Sequence, residues 1–399
     1  MGRTILHLGG AAYHVRSIRV LRQAGFRVAC LDRDPAAPGR GEADIAICGS
    51  VSDAVVIFEA LFATGADAVV NGLEIAVAPA ALASAAIGLC GVGVETALRC
   101  IDKTLMRAAW EAAGLAQPAW VAVRGAGELH SAIDAFGLPL VVKPARGNGS
   151  RGVSVVTRAD EVEGAVAEAR AAADAHGFIV ERFVAGPLVT NDGFVDGRGK
   201  ARVAVMGDVV TQSVSRHRVN TALNYPAALS VSDRAAVASL VERAAVALGL
   251  RRSPFHCEII LGENGPVLVE LAARGGGSYI ASTIVAAVSG LVAPVVSARL
   301  ALGDDVSIDP SEVGGATLTF ITAPAGVITA IRGLDEARAL PGIVELGVAL
   351  RPGERSGAVA FDNARHGHVV AVGATRDEAV ARAAAAVAAI GFEVTQVPV

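Results

Sequence analysis

The chain has 399 residues, of which 53% are hydrophobic and 19% charged, and a formal net charge of -4. Its length predicts two or three packed domains rather than one core, and its apolar content excludes an intrinsically disordered chain. Near-neutrality removes the electrostatic basis for nucleic acid as the main partner and points to small-molecule ligands.

The opening residues, MGRTILHLGG, carry no charged n-region, long apolar stretch or cleavage site, so no export signal is expected. TILHLG reads as a buried strand, Tyr13 to Ala24 as a helix and RVACLD as a second strand. ADIAICG, a helix near Ala54 to Ala63, DAVVNG and a helix near Val77 to Ala86 continue the alternation. The series predicts an open parallel α/β domain over residues 1–100, with helices on both faces. Gly9 and Gly10 with Asp32 invite a dinucleotide reading, which fails because Ala11 and His14 stand where the fingerprint needs glycine.

A second unit spans residues 101–310. It begins with a helix, followed between Gly137 and Val156 by two strands around a glycine-rich loop. A helix from Asp160 to Ala175, the strand FIVERF and an antiparallel meander from Gly193 to Ser213 come next. The uncharged run from Gly275 to Ala298 opens on three glycines and contains Gly290 and Pro294, so it reads as a buried, substrate-facing helix rather than a membrane span. After Pro310, TLTFITA, VELGVAL, HVVAVGA and a helix from Arg376 to Ile390 predict a C-terminal α+β piece over residues 311–399. The five cysteines, Cys30, Cys48, Cys90, Cys100 and Cys257, have no CxxC spacing and fit a reducing cytoplasm.

Chemistry concentrates in three segments. In LPLVVKPARGNGSRGVSVV an apolar strand ends at Lys143, a loop of Gly147, Asn148, Gly149, Ser150, Arg151 and Gly152 follows, and a second strand leaves from Val153. Glycines at positive φ can turn successive N–H groups onto phosphate oxygens, with the lysine as a point charge. A flexible hairpin with a solvated lysine is the alternative. In FHCEIILGENGPVLVEL two strands flank a three-residue loop, Glu-Asn-Gly, which sets Glu258 opposite Glu270 on one face. Facing carboxylates repel unless a cation sits between them, so the pair reads as a metal site, and neutralising one should raise stability without metal. One solvated edge glutamate with a chance partner is the other reading. Arg274 follows closely and can steady transferring phosphoryl or oxyanion charge, or form a structural salt bridge. IVERFVAG, around Glu181, can offer backbone groups to a purine edge.

Taken in order, Asp102-Lys103 with Met106, the Lys143 strand and loop, Glu181-Arg182-Phe183-Val184, and Glu258 and Glu270 with Arg274 resemble the ATP-grasp superfamily over nearly the whole chain. The resemblance implies that Lys103 and Lys143 contact ATP phosphates, together with the loop at Gly149, Ser150 and Val153. It implies that Glu181, Arg182, Phe183 and Val184 hold adenine. It assigns Glu258 and Glu270 to Mg²⁺, for which Mn²⁺ could substitute. Residues 1–100 then look like a pre-ATP-grasp domain, 101–310 like the ATP-grasp domain, and 311–399 like the lid shared by biotin carboxylase-like enzymes and L-amino-acid ligases. The activity implied is ATP-dependent activation of a carboxylate as an acyl phosphate and its transfer to an amine, as in dipeptide synthesis, with Arg274 and Lys143 catalytic.

Candidate substrate contacts are Glu74, His217, Arg218, Gly276 and Gly277. A solvated basic loop is the alternative for His217. A carboxylating or formylating relative and a non-catalytic ATP-binding protein are the other readings. The expected partners are a small carboxylate and an amine, with no nucleic acid and no membrane, and a homodimer is an option for assembly. Two positions depart from the family pattern: Ala272 stands where asparagine is usual, and Pro187-Leu188 where a ribose-binding acid is expected, with Asp192 as a substitute.

Overall fold

The computed structural model describes residues 2–123, 126–173, 176–214, 216–357, 359 and 364–395. Strands β1 (Thr4–Leu8), β2 (Arg27–Asp32), β3 (Ile45–Cys48) and β4 (Ala68–Asn71) form a parallel sheet in the order β3-β2-β1-β4. β1 is buried along its whole length, as expected of a strand covered on both faces. The Ala54–Thr64 helix starts where the Asp53 carboxylate accepts from Val55 N and Val56 N. Asp32 accepts from Gly10 N at 2.6 Å, so the carboxylate that invited a dinucleotide reading instead ties two strand ends together.

A small antiparallel sheet follows, built from β5 (Trp120–Val123), β6 (Leu140–Pro144), β7 (Ser154–Val156) and β8 (Phe178–Arg182) in the order β5-β8-β6-β7. Helices Ala126–Phe136 and Val162–Ala172 pack against it. β5 and the first of these helices were not predicted. Asp174 and Ala175, at the end of the predicted second helix, lie outside the described residues.

The remaining strands are β9 (Leu188–Val195), β10 (Ala201–Val214), β11 (His217–Tyr225), β12 (Ser253–Gly262), β13 (Gly265–Ala272), β14 (Gly315–Ile321), β15 (Gly326–Arg332), β16 (Ile343–Val348), β17 (Arg355–Ser356), β18 (Gly367–Gly373) and β19 (Gly391–Thr395). Eight of them form one sheet in the order β13-β12-β9-β10-β11-β14-β18-β16, and β15 pairs with β17 and β19. The C-terminal strands β14, β16 and β18 therefore extend the sheet that carries the metal-type hairpin.

The long Val231–Leu248 helix, absent from the sequence reading, packs Val237, Val241 and Ala244 with Trp110, Phe255, Leu268 and Leu271 in the largest core. The run from Gly275 to Ala298 is not one helix. A π-turn at Ile280–Ile284 leads into Val285–Ser289, and Ala293–Ala301 leaves at 109° to that pair. Gly290, at φ 73°, ends the first piece, and proline in the first turn starts the second. No single helix among the described residues is long and apolar enough to cross a membrane.

Candidate functional site

Between the small sheet and the large one lies a cleft of about 1160 Å³, open to solvent. Its apolar part is lined by Val141, Val155, Phe183, Val184, Leu188, Ile260 and Val269, and its polar part by Lys103, Lys143, Glu258, Glu270 and Arg218. The loop from Gly147 to Arg151 and Val153, together with Glu181 and Arg182, completes the wall. The loop turns through positive φ at Gly147, Gly149, Ser150 and Gly152. At Gly152 a Cβ would stand 2.6 Å from Ala172 Cβ, so close packing on the helix behind enforces glycine there.

The metal-type hairpin has a two-residue turn, Glu263-Asn264, between paired Gly262 and Gly265, where a three-residue loop was predicted. Partners run Ile260 with Val267 and Ile259 with Leu268, and then the register shifts so that Glu258 faces Glu270. The shorter turn and a bulge at Val269 thus produce the pairing that the longer loop would have given.

Lys103 Nζ lies 3.5 Å from Glu270 Oε2, and it also donates to Gly147 O at 3.4 Å. It is therefore a cation of the protein's own beside the paired carboxylates. Burial pushes the Glu270 carboxyl up, but Lys103, Lys143 and Arg274 outweigh it and hold the group below the usual carboxylate range.

Lys143, at the end of β6, lies with its Nζ 2.9 Å from Glu181 Oε2 in a buried pair. Arg107, on the Lys103–Ala112 helix, donates from Nε to Glu181 Oε1 at 2.8 Å and from Nη2 to Val269 O at 2.8 Å. Burial raises the Glu181 carboxyl, yet the two cations overcome it and the net shift is downward. Burial dominates at Lys143, whose ammonium is shifted down despite Glu181. Arg107 was missed in the sequence. The available signal was a charged residue between Met106 and Trp110, two buried positions of the same helix.

Of the remaining predicted residues, Arg218 lines this cleft and Glu74, His217, Arg274, Gly276 and Gly277 do not. Arg274 Nε donates to Glu74 Oε2 at 2.8 Å, with both side chains 15% exposed, so these two form a salt bridge between the first unit and the end of the hairpin. Gly276 and Gly277 line a second cavity of about 620 Å³, with Tyr13, His14, Asp192 and Tyr279. Asp192 is buried there, accepting from Gly276 N at 2.5 Å and pairing with His256 Nδ1 at 3.0 Å. Its carboxylate is thus engaged away from the cleft that it was expected to serve. His256 is the cross-strand partner of Ala272. His217 contacts Val153 O at 3.2 Å through Nδ1 and Glu168 through Nε2 at 3.6 Å, which ties β11 to the small sheet, while neighbouring Arg218 faces the cleft.

Among the described residues no three His, Cys, Asp or Glu side chains are arranged to hold a metal ion. The facing Glu258 and Glu270 offer two hard oxygen donors on an open cleft. That donor set suits Mg²⁺ shared with phosphate oxygens and water rather than a metal held by the protein alone.

Residues 136–282 match a family model described as an ATP-grasp domain, and residues 319–395 one described as L-amino acid ligase C-terminal domain 2. A D-alanine–D-alanine ligase of Anaeromyxobacter dehalogenans is 30% identical over 255 residues, covering 63% of this chain and 77% of that protein. An alanine–anticapsin ligase of Bacillus subtilis is 28% identical over 232 residues, covering 53% of this chain and 49% of that protein. The chain spans about half to two thirds of the length of several curated relatives that it matches. The crystal structure of an L-amino acid ligase from Bacillus licheniformis shares the fold with a TM-score of 0.83, at 20% identity and 99% coverage of each chain.

Proposed function

Because the chain belongs to the ATP-grasp ligase family, we propose that it is an ADP-forming ligase that activates a carboxylate, an amino acid in our reading, as an acyl phosphate and joins it to an amine. One observation carries this reading. A single cleft brings two lysines, a glycine loop and a pair of facing carboxylates beside an apolar slot. The likeness of residues 319–395 to an L-amino acid ligase domain supports an amino acid as the carboxylate. The chain is read as a pre-ATP-grasp domain over 1–100, an ATP-grasp domain over 101–310 and a C-terminal domain over 311–399.

In this reading the apolar slot between Phe183, Val184, Leu188 and Ile260 takes the base, and backbone groups of the Glu181–Val184 segment take its polar edge. The Glu181 carboxylate serves a different purpose, because it already holds Lys143. Lys103, Lys143 and the N–H groups of Gly149 and Ser150 neutralise the phosphates. Glu258 and Glu270 would hold Mg²⁺, which would supply positive charge to the phosphate oxygens. Arg274, fixed by Glu74, steadies the oxyanion that forms when the amine attacks. The backbone at Gly277 admits the substrate carboxylate, while the Gly276 N–H is held by Asp192 and shapes the turn. Positioning and charge neutralisation then supply most of the rate, and no covalent enzyme intermediate is required.

The test is a screen of ADP and phosphate release with ATP, Mg²⁺ and pairs of amino acids. Hydroxylamine should trap a hydroxamate with the carboxylate substrate alone. AMP and pyrophosphate as products overturn the reading, and ADP release only with bicarbonate or formate selects a carboxylating or formylating enzyme instead.

A further inference from the structure

We propose that Arg107 is a positioning residue that sets the phosphate-facing lysine and the paired carboxylates in one register; the proposal rests on the ligase reading above. The parity of the hairpin explains why such a residue is needed. From the turn onward the partners are Gly262 with Gly265, Ile260 with Val267 and Ile259 with Leu268. Continued without interruption, that register would set Val269 against Glu258 and send the Glu270 side chain to the opposite face, because side chains alternate along a strand. The extra residue at Val269 returns Glu270 to the face of Glu258. Joint action of the two carboxylates therefore depends on that bulge.

A bulge takes backbone groups out of the ladder, and buried carbonyls need a donor. Arg107 supplies it, with Nη1 donating to Leu268 O at 3.2 Å and Nη2 to Val269 O at 2.8 Å. The same guanidinium donates from Nε to Glu181 Oε1 at 2.8 Å, and Glu181 Oε2 holds Lys143 Nζ at 2.9 Å. One side chain, 1% exposed, thus grips the bulge with one edge and the carboxylate that aims Lys143 with another. Its backbone lies one helical turn from Lys103, the cation beside Glu270. A planar fork of five donors can serve two carbonyls and a carboxylate at once, which a lysine ammonium on a single stem cannot.

The test compares wild type, R107M, R107K and K143M by calorimetric titration of a non-hydrolysable ATP analogue at several Mg²⁺ concentrations, with folding followed by circular dichroism. R107M should weaken analogue binding about tenfold or more, and raise the Mg²⁺ concentration for half-maximal binding by a similar factor. K143M should weaken analogue binding while leaving the Mg²⁺ requirement near wild type. R107K keeps the charge and much of the volume but loses the fork, so its Mg²⁺ requirement should move as in R107M. If R107M does not fold, R107K decides. A folded R107K with the wild-type Mg²⁺ requirement, or a change confined to Tm, overturns the proposal. Absence of Mg²⁺-dependent analogue binding in wild type would instead remove the ligase reading.

Discussion

At the Lys143–Glu181 contact of 2.9 Å, one carboxylate serves two cations, since Arg107 occupies its other oxygen. The two ends of the pair should therefore differ in how much they matter to the fold. Removing Lys143 leaves Glu181 satisfied by Arg107, whereas neutralising Glu181 leaves two buried cations facing each other. Breaking a buried pair by removing one partner costs about 3–5 kcal/mol when the charge left behind is uncompensated. E181Q is expected to approach that range in urea denaturation, and K143M to stay below about 2 kcal/mol because a partner remains. The order should reverse in nucleotide binding. K143M loses a charge–phosphate contact and should bind ATP about tenfold more weakly. Equal stability losses in the two variants would show that Arg107 does not share the carboxylate as the geometry indicates.

The β12–β13 hairpin shows how an element can reach an expected pairing by an unexpected route, and it changes one expectation. Read as two bare facing carboxylates, Glu258 and Glu270 should repel, and removing one charge should stabilise the protein without metal. In the structure Lys103 lies 3.5 Å from Glu270, and Lys103, Lys143 and Arg274 together hold that carboxyl below its usual range. E270Q should therefore leave Tm unchanged or lower it in the absence of Mg²⁺. Turnover should still fall on the order of a hundredfold, by analogy with the loss of a preorganised electrostatic contact. Thermal melting with and without Mg²⁺, beside steady-state ADP release, separates the two effects. An increase in Tm would restore the repulsion picture, and wild-type turnover would remove Glu270 from the metal site.

Across the whole molecule, buried histidines are expected to make stability fall between pH 6.5 and 4, above the range in which the lowered carboxylates such as Glu181 add to the loss. His7 is buried, with Nδ1 against Gly9 O at 2.9 Å and Nε2 against Ser17 Oγ at 3.0 Å, so its Nδ1 carries the proton and its ring is neutral. Burial, with a smaller contribution from His14, lowers its pKa from 6.5 to about 3, and burial lowers that of His14 from 6.5 to about 4. Burial also lowers His366 and His368, while Asp192 outweighs burial and raises His256. A depressed folded pKa means that the unfolded chain takes up protons first, so stability is complete above about 6.5 and falls as the pH drops toward 4. The raised His256 opposes this, but four groups shift one way and one the other. Each strongly shifted histidine can remove up to about 1.4 kcal/mol per pH unit. Urea midpoints should fall between pH 6.5 and 4.5, and H7Q should flatten the slope; a midpoint that is level over that range contradicts the neutral burial of His7.

Much of this arrangement was written locally. Period-two and helical spacing marked β1 to β4 with the helices that follow β1, β3 and β4, the Lys143 strand, the β12–β13 hairpin and the last helix, because those patterns report which face of a single element is buried. The glycine loop, the Glu181 strand and the paired glutamates, singled out in the sequence for phosphate, purine and metal chemistry, all line one cleft. Tertiary structure alone decided the rest, since it depends on contacts between residues remote in the chain. Arg107 meets Glu181 across 74 residues and Val269 across 162, and neither meeting leaves a periodic trace. The bend after Ser289 looks like one apolar run until packing separates its halves by 109°. The two-residue turn with its bulge cannot be told from a three-residue loop without one, because both give the same parity at Glu258 and Glu270. Side-chain alternation records a sum of backbone steps, and only the folded hydrogen-bond ladder shows where each step was taken.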